Sequence, residues 1–452
     1  MTGQQVRWTA EQVLALAPDA ASRKAGGKLA TPGPWSRAAQ GEGALWGLCR
    51  GSGSKPYQTV VDLVGAGYKC SCPSRKFPCK HALALLLLWA EKDPVVADGA
   101  GPESVPDWAE KWLSGRRERA EAKAARPAGE APADPEAARR RAERRAQRIT
   151  AGAEELEQRL ADLLRTGLAG AEHLGYAEWD ETAARMVDAQ APGLATRVRE
   201  LASIPGSGPG WPGRLLADCA LLRLLTQGYL RRDQLPQELA ATVRAQVGLS
   251  TDAATLLADE NARLAGDWLV LGQRDSQEGR LTVRRVWLME KGSGRFALVL
   301  SFGAAGQAPE LVLPVGTVFE ASLAYYPGGS PLRAVLGEGR SAPVPASAPE
   351  GVGVEAALTR YGEALRSDPW IEAWPAVLHD VVPLPPQEGA ADGWRLADSA
   401  SDAAVPLSFP SESARWQLAA ISGGTPITVF GECGHGGFLP QTVWSDGEAI
   451  TL

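Results

Sequence analysis

Four residues of metal-binding type fall within twelve positions of this sequence. They are Cys70, Cys72, Cys79 and His81, spaced C-x-C-x6-C-x-H within YKCSCPSRKFPCKHALALLLLW, Tyr68 to Trp89. Alternate side chains of an extended strand face the same way, so a strand ending at Cys72 aims Cys70 and Cys72 at one point. Cys79 and His81 cannot both sit inside a helix and share that point, because residues two apart on a helix diverge by about 200°. Pro78 offers the solution. It fixes an extended backbone, so Cys79 sits just before a first helical turn and His81 within it. Three thiolates and an imidazole favour Zn2+ over Mg2+ or Ca2+. Four protein ligands leave no position for a catalytic water, so the expectation is one structural zinc ion.

The elements that must position these ligands are legible on either side of them. Ala44 to Arg50, Tyr57 to Leu63 and Gly67 to Cys72 read as strands separated by turn sequences, and His81 to Lys92 as an apolar helix stopped by Pro94. That helix is apolar on nearly every face, so it must be buried by its own domain or by a partner. Upstream, Thr9 to Leu16 reads as a short helix and Gly26 to Gly33 as an irregular loop. The run GSGSKP, Gly51 to Pro56, lacks the spacing of a phosphate loop and reads as a hairpin loop.

Composition bounds the other possibilities. At 452 residues, with 44% hydrophobic and 22% charged residues, the chain holds about three globular domains. Its longest apolar run, Ala82 to Ala90, is far short of the ~20 residues that span a bilayer. The start, MTGQQVRWTAEQ, lacks the features of a secretory signal, so no membrane association and a cytoplasmic location are expected. The net charge of −6 divides unevenly, into +8 over residues 1–148 and −14 over the remainder. Six arginines between Arg139 and Arg148 load one emerging helix, read as a solvated helix start. Cys433 and His435 repeat half the ligand motif in GECGHGG but lack a second pair, and read as a glycine-rich turn. His173 and His379 lie in apolar-rich stretches read as helical. No nucleophile or base motif is present, so no enzyme is expected and no catalytic residue is nominated.

The ligand spacing, with a strand pair before it and an apolar helix after it, resembles the SWIM zinc finger, C-x-C-x(n)-C-x-H in a ββα arrangement. WGLCRGSGSKPYQTVVDL and CPSRKFPCKHALALLLLW are similar to bacterial SWIM zinc finger proteins. The resemblance implies zinc on Cys70, Cys72, Cys79 and His81, and interaction with DNA or protein. It also implies MoxR-type ATPases and von Willebrand A proteins as partners.

An α+β chain is thus expected, with a small ββα SWIM zinc-binding module, then an α-helical domain and C-terminal antiparallel β-rich domains. Residues 1–93 form the N-terminal domain with the finger at about 57–92, and 94–148 an Ala/Pro/Arg-rich linker in which Trp108, Trp112 and Leu113 dock a short helix and whose middle, Ala124 to Pro135, is flexible. A helical domain of five or six helices spans 149–266, with leucines at helical spacing. Residues 267–339 carry short β-like runs (WLVLGQ, RLTVRRVWLM, RFALVLSF, ELVLPV, FEASLAYY) that suggest an antiparallel sheet or small barrel. After a linker at 340–352, residues 353–452 start with the helix Val354 to Leu365 and continue in strands including GWRLAD, AVPLSF, RWQLAAI and PITVFGE. Two roles remain. In one, the finger is the interaction module of an adaptor in a multi-protein complex. In the alternative, it binds nucleic acid through Arg75, Lys76, Phe77 and Lys80, which offer phosphate contacts and one stacking ring.

Overall fold

The computed structural model describes residues 7–452 except 19, 42, 52, 54, 65–66, 75, 77, 99–104, 125–133, 169–170, 172–175, 250, 279–280, 304–308, 310 and 387–392. The N-terminal unit runs α1 (Ala10–Ala15), α2 (Ala20–Leu29), β1 (Trp35–Gly41), β2 (Ala44–Cys49), β3 (Tyr57–Asp62), β4 (Gly67–Cys70), α3 (Lys80–Ala90), β5 (Ala97–Asp98) and α4 (Asp107–Ala124). Its sheet is ordered β4-β3-β2-β1-β5, antiparallel except for the short β1–β5 pair. Thr9 opens α1 with a capping box, exchanging hydrogen bonds with Gln12.

Two expectations for this region need correction for packing reasons. The glycine-containing segment after Gly26 is not a loop at its start but the end of α2, because α2 lies directly on α3. A Cβ on Gly26 would stand 2.9 Å from Cβ of Leu83, so the glycine permits the approach rather than breaking the helix. The segment expected as a linker with one short docked helix holds a longer one, α4, at that place. Ala109 and Leu113 of α4 bury themselves with Ala44, Trp46 and Val60 on one face of the sheet, while Leu45 and Val61 on the other face pack with α3. The expected flexible middle of the linker lies largely outside the described residues.

The helical unit comprises α5 (Pro135–Thr166), α6 (Tyr176–Asp188), α7 (Pro192–Leu201), α8 (Trp211–Leu230), α9 (Gln237–Val247) and α10 (Ala253–Ala258). The first helix starts well before Ile149, because Asp134 caps it by accepting from the Ala137 N–H and Pro135 occupies the first turn. Ile149, Ala153, Leu156 and Leu160 then form its buried stripe, closed by Met186, Leu194, Leu215, Leu222 and Val243 into a core of its own.

A barrel follows, made of β6 (Arg263–Glu278), β7 (Leu281–Glu290), β8 (Phe296–Gly303), β9 (Thr317–Tyr325) and β10 (Arg333–Leu336). The first three strands form an antiparallel meander and β9 returns to pair with β6. β10 closes the ring, parallel to β8 and antiparallel to β9. The short β11 (Val344–Pro345) adds to β9 inside the segment expected as linker. ELVLPV is not a strand over its described residues. Pro314 has no N–H to give to a ladder, and Val312, Leu313 and Val315 are buried as irregular chain.

The last unit holds α11 (Val354–Ser367), β12 (Ala373–Leu384), β13 (Arg395–Asp398), β14 (Ala404–Pro406), α12 (Glu412–Ser422), β15 (Ile427–Gly434), β16 (Gly437–Ser445) and β17 (Glu448–Thr451). Its antiparallel sheet is ordered β14-β13-β12-β15-β16-β17. RWQLAAI lies in α12 rather than in a strand. The Ser411 hydroxyl accepts from the Ala414 N–H to start it, and Ala414, Leu418 and Ser422 bury one face at a spacing of four. His379 lies on β12, exposed beside Asp380, and not on a helix.

The finger unit does not stand apart from the barrel. Leu83 to Trp89 of α3 belong to one continuous core with Trp268, Trp287 and Phe319 of the barrel and with Phe430, Trp444 and Ala449 of the C-terminal sheet. Polar contacts cross the same boundary. Trp8 Nε1 donates to the Pro343 carbonyl at 3.1 Å, Gln12 Nε2 to the Gly316 carbonyl at 3.3 Å, and Arg340 Nε to the Val64 carbonyl at 3.1 Å.

Candidate metal centre

The β3–β4 ladder sets the first half of the site. Thr59 lies opposite Cys70, and its hydroxyl is 3.3 Å from the Cys70 sulfur. The strand ends at Cys70, two residues earlier than the spacing suggests. Ser71 holds the departure, donating its N–H to the Gln58 carbonyl and accepting the Gln58 N–H on its hydroxyl. Cys72 therefore reaches the site from a bend, not from the strand.

The second half follows the expected geometry. Cys79 is the N-cap of α3, with extended backbone (φ −72°, ψ 164°), and His81 lies in the first turn. The ligand atoms of all four residues lie within 4.8 Å of one another. His81 Nδ1 is 3.7 Å from the Cys70 sulfur and 4.0 Å from that of Cys79. A tetrahedral zinc with Zn–S about 2.3 Å and Zn–N about 2.0 Å requires S···N edges of about 3.5 Å and S···S edges of about 3.8 Å, so the set must contract by up to about 1 Å around the ion. Cys70, Cys79 and His81 are buried and Cys72 is partly exposed.

Hydrogen bonding distinguishes these thiols. Cys70 is held down to about 4, first by its hydrogen bond with Cys79 and then by those with His81 and Thr59, which together outweigh burial. Cys79 is pushed up by the same bond and by burial, and Cys72 mainly by burial. The other described cysteines behave differently. Burial pushes Cys49 and Cys219 up to about 11 and Cys433 to about 12. They are inert core thiols.

Two residues that the spacing does not reveal complete the surroundings. The Tyr57 ring packs on the His81 imidazole, with centroids 4.8 Å apart. Gly51 makes this possible, because a Cβ there would lie 2.2 Å from the Tyr57 ring. The GSGSKP loop thus joins β2 to β3 as a hairpin and leaves room for an aromatic lid. Thr59 is the other residue, and strand register is the signal that would have found it, since it faces Cys70.

Of the proposed contact residues, Lys76 and Lys80 are exposed, while Arg75 and Phe77 lie outside the described residues. His173 does too. Cys433 is buried in β15 and His435 is exposed in the β15–β16 turn, and among the described residues the cluster at Cys70 is the only metal-capable group. No helix among those residues is long and apolar enough to cross a membrane.

Comparison with known families agrees with this geometry. The SWIM zinc finger matches residues 57–90, and the SWIM-associated four-helix bundle domain matches residues 144–247, from within α5 to the end of α9. No curated protein and no solved structure matches the chain. The barrel and the C-terminal sheet fall outside both family matches. The two matches and the convergence of all four ligands on one point support a SWIM-type zinc finger protein with a single zinc site among the described residues.

Proposed function

We propose that this chain is a non-catalytic adaptor in which zinc locks the finger into the body of the protein, so that several units present one composite surface to protein partners. The observation that carries this reading is the placement of α3. Its apolar faces are covered by its own chain, in a core shared with the barrel and the C-terminal sheet. A closed Cys3His set bound to such a helix stabilises architecture and leaves no position for substrate. Fingers of this family are structural binding modules, which fits the same role.

The partners implied by the family resemblance, a MoxR-type ATPase and a von Willebrand A protein, provide the test. Size-exclusion chromatography of the zinc-loaded protein with each purified partner should show a complex, and the Cys72→Ser protein should lose it. Failure of both partners to associate, by a method sensitive to micromolar affinity, would contradict the adaptor reading. Nucleic-acid binding by the finger itself has less support. Arg75, Lys76 and Lys80 would offer at most three phosphate contacts, a salt slope of about 2.7 on duplex DNA.

A further inference from the structure

A cleft of about 2090 Å³ opens between the helical unit, the barrel and the start of β12. Small-molecule sites are about 300–1,000 Å³, so this space suits a polymer better than a metabolite. Ten arginines and five carboxylates line it, and no lysine does, which leaves an excess of five positive charges. The arginines come from separate elements. Arg141, Arg144, Arg145 and Arg148 form one stripe of α5, Arg244 comes from α9, and Arg274 and Arg285 come from the barrel.

Several of these cations lack the partners a structural role would provide. Among the described residues, Arg144, Arg244, Arg274 and Arg285 have no carboxylate within ion-pair distance. Arg274 and Arg285 are directly paired across the β6–β7 ladder, and like charges placed opposite each other destabilise a sheet unless something offsets them. Nε of Arg285 is also buried without a hydrogen-bond partner. An anion between the two guanidiniums would answer both conditions.

The barrel supplies a second, independent observation. Counting its strands from β6, they close in the order one-two-three-five-four, with three and five parallel. This is the arrangement of the oligonucleotide-binding barrel, whose ligand face is formed by strands two and three and by the loops joining one to two and four to five. Strands two and three and the four-to-five loop line this cleft. Arg285 and Trp287 lie on strand two, Leu298 on strand three, and Tyr326 to Leu332 form the four-to-five loop. Tyr326 brings a ring to the rim, with the Arg333 guanidinium 4.6 Å from its centroid. A positive groove with an aromatic platform is how proteins hold single strands.

We infer that this cleft binds single-stranded nucleic acid, its phosphates on Arg274, Arg285 and the arginine stripe of α5, and a base against Tyr326. The inference does not depend on the adaptor reading and places nucleic acid away from the finger. The test uses the full zinc-loaded chain with fluorescein-labelled 20-mers of single-stranded DNA, single-stranded RNA and duplex DNA, titrated across a salt series. Single strands should bind more tightly than duplex, and the DNA and RNA arms show which of the two is preferred. Arg274→Gln with Arg285→Gln should weaken single-strand binding at least tenfold and reduce the salt slope by about 1.4. Its melting temperature should be unchanged or raised, since a like-charge pair is relieved. Lys76→Gln with Lys80→Gln should bind as wild type. Single strands that do not bind even at 50 mM salt would overturn the inference. So would unchanged binding by the Arg274/Arg285 variant, or binding of poly-glutamate in preference to the oligonucleotides, which would make the cleft a protein site.

Discussion

The finger unit and the helical unit, adjacent in the chain, solve the problem of stability in opposite ways. The helical unit closes an apolar core almost entirely from its own helices, with Trp370 as the one fully buried contribution from elsewhere. The finger has a short sheet and one helix, shares its core with two other units and holds its turn and helix start together through four ligands. A core drawn from long amphipathic helices needs no ion. A ligand set spread over a bend and a helix N-terminus brings distant backbone together only when the ion is present.

The sharpest way to break this contrast is to remove a ligand. Cys79→Ser should forfeit most of the roughly 10 to 16 kcal/mol that structural zinc supplies in finger peptides. Hydrogen exchange should accelerate over residues 57–90 and, because the core is shared, in the barrel strands behind α3, while α5 to α9 keep their protection. Equal acceleration in the helical unit would show that the two regions are not independent.

The converse experiment weakens the helical unit and leaves zinc in place. A Cβ on Gly193 would lie 2.0 Å from the Gln246 carbonyl oxygen, a contact with backbone that side-chain motion cannot relieve. Gly193→Ala should cost about 1–3 kcal/mol through overpacking, seen as a lower unfolding midpoint for the helical signal with unchanged zinc content. A smaller effect is expected where the two halves of the chain meet. Trp370→Phe deletes the Nε1 hydrogen bond to the Leu221 carbonyl, at 3.0 Å, and should cost about 1 kcal/mol in denaturant titrations.

The smallest effect concerns pH. Burial raises the Asp368 carboxyl above its ordinary value, against the lowering influence of the Trp370 N–H and of Arg197. In the window above the ordinary carboxylate pKa the unfolded chain releases this proton before the folded one does, so stability falls as pH rises through that window. Asp368→Asn should therefore gain stability relative to wild type at neutral pH, with the difference vanishing below the carboxylate range. Paired urea titrations at the two pH values cancel the separate effect of acid on the zinc site.

The zinc ligands were legible because their chemistry is confined to twelve residues and their spacing fits only a strand exit followed by a helix start. The packing context was not. Gly26 reads as a helix breaker until Leu83 is found against it, and Arg415 to Ile421 alternates enough to pass for a strand until Ser411 caps it as a helix. The arginine cleft was the least visible, since Arg144, Arg244 and Arg285 are far apart in sequence and only the stripe on α5 forms a local pattern. Charge runs read alone say that a helix is polar. They do not say what it faces.

The contact of α1 with β17 has a consequence in time. Gln12 reaches the carbonyl of Gly316, and Gly316 sits so close to Ala449 that a Cβ on it would stand 2.5 Å from that side chain. The finger helix, complete once residue 90 is synthesised, therefore waits for residues near 449 before its core can close. At about 5–20 residues per second that is a delay of roughly 20–70 s. During that interval the ribosome carries a nascent chain with the run Ala82 to Ala90 uncovered. Early zinc capture, by fixing α3 against its sheet, would reduce the apolar surface uncovered in that interval and make metal supply during translation a determinant of yield.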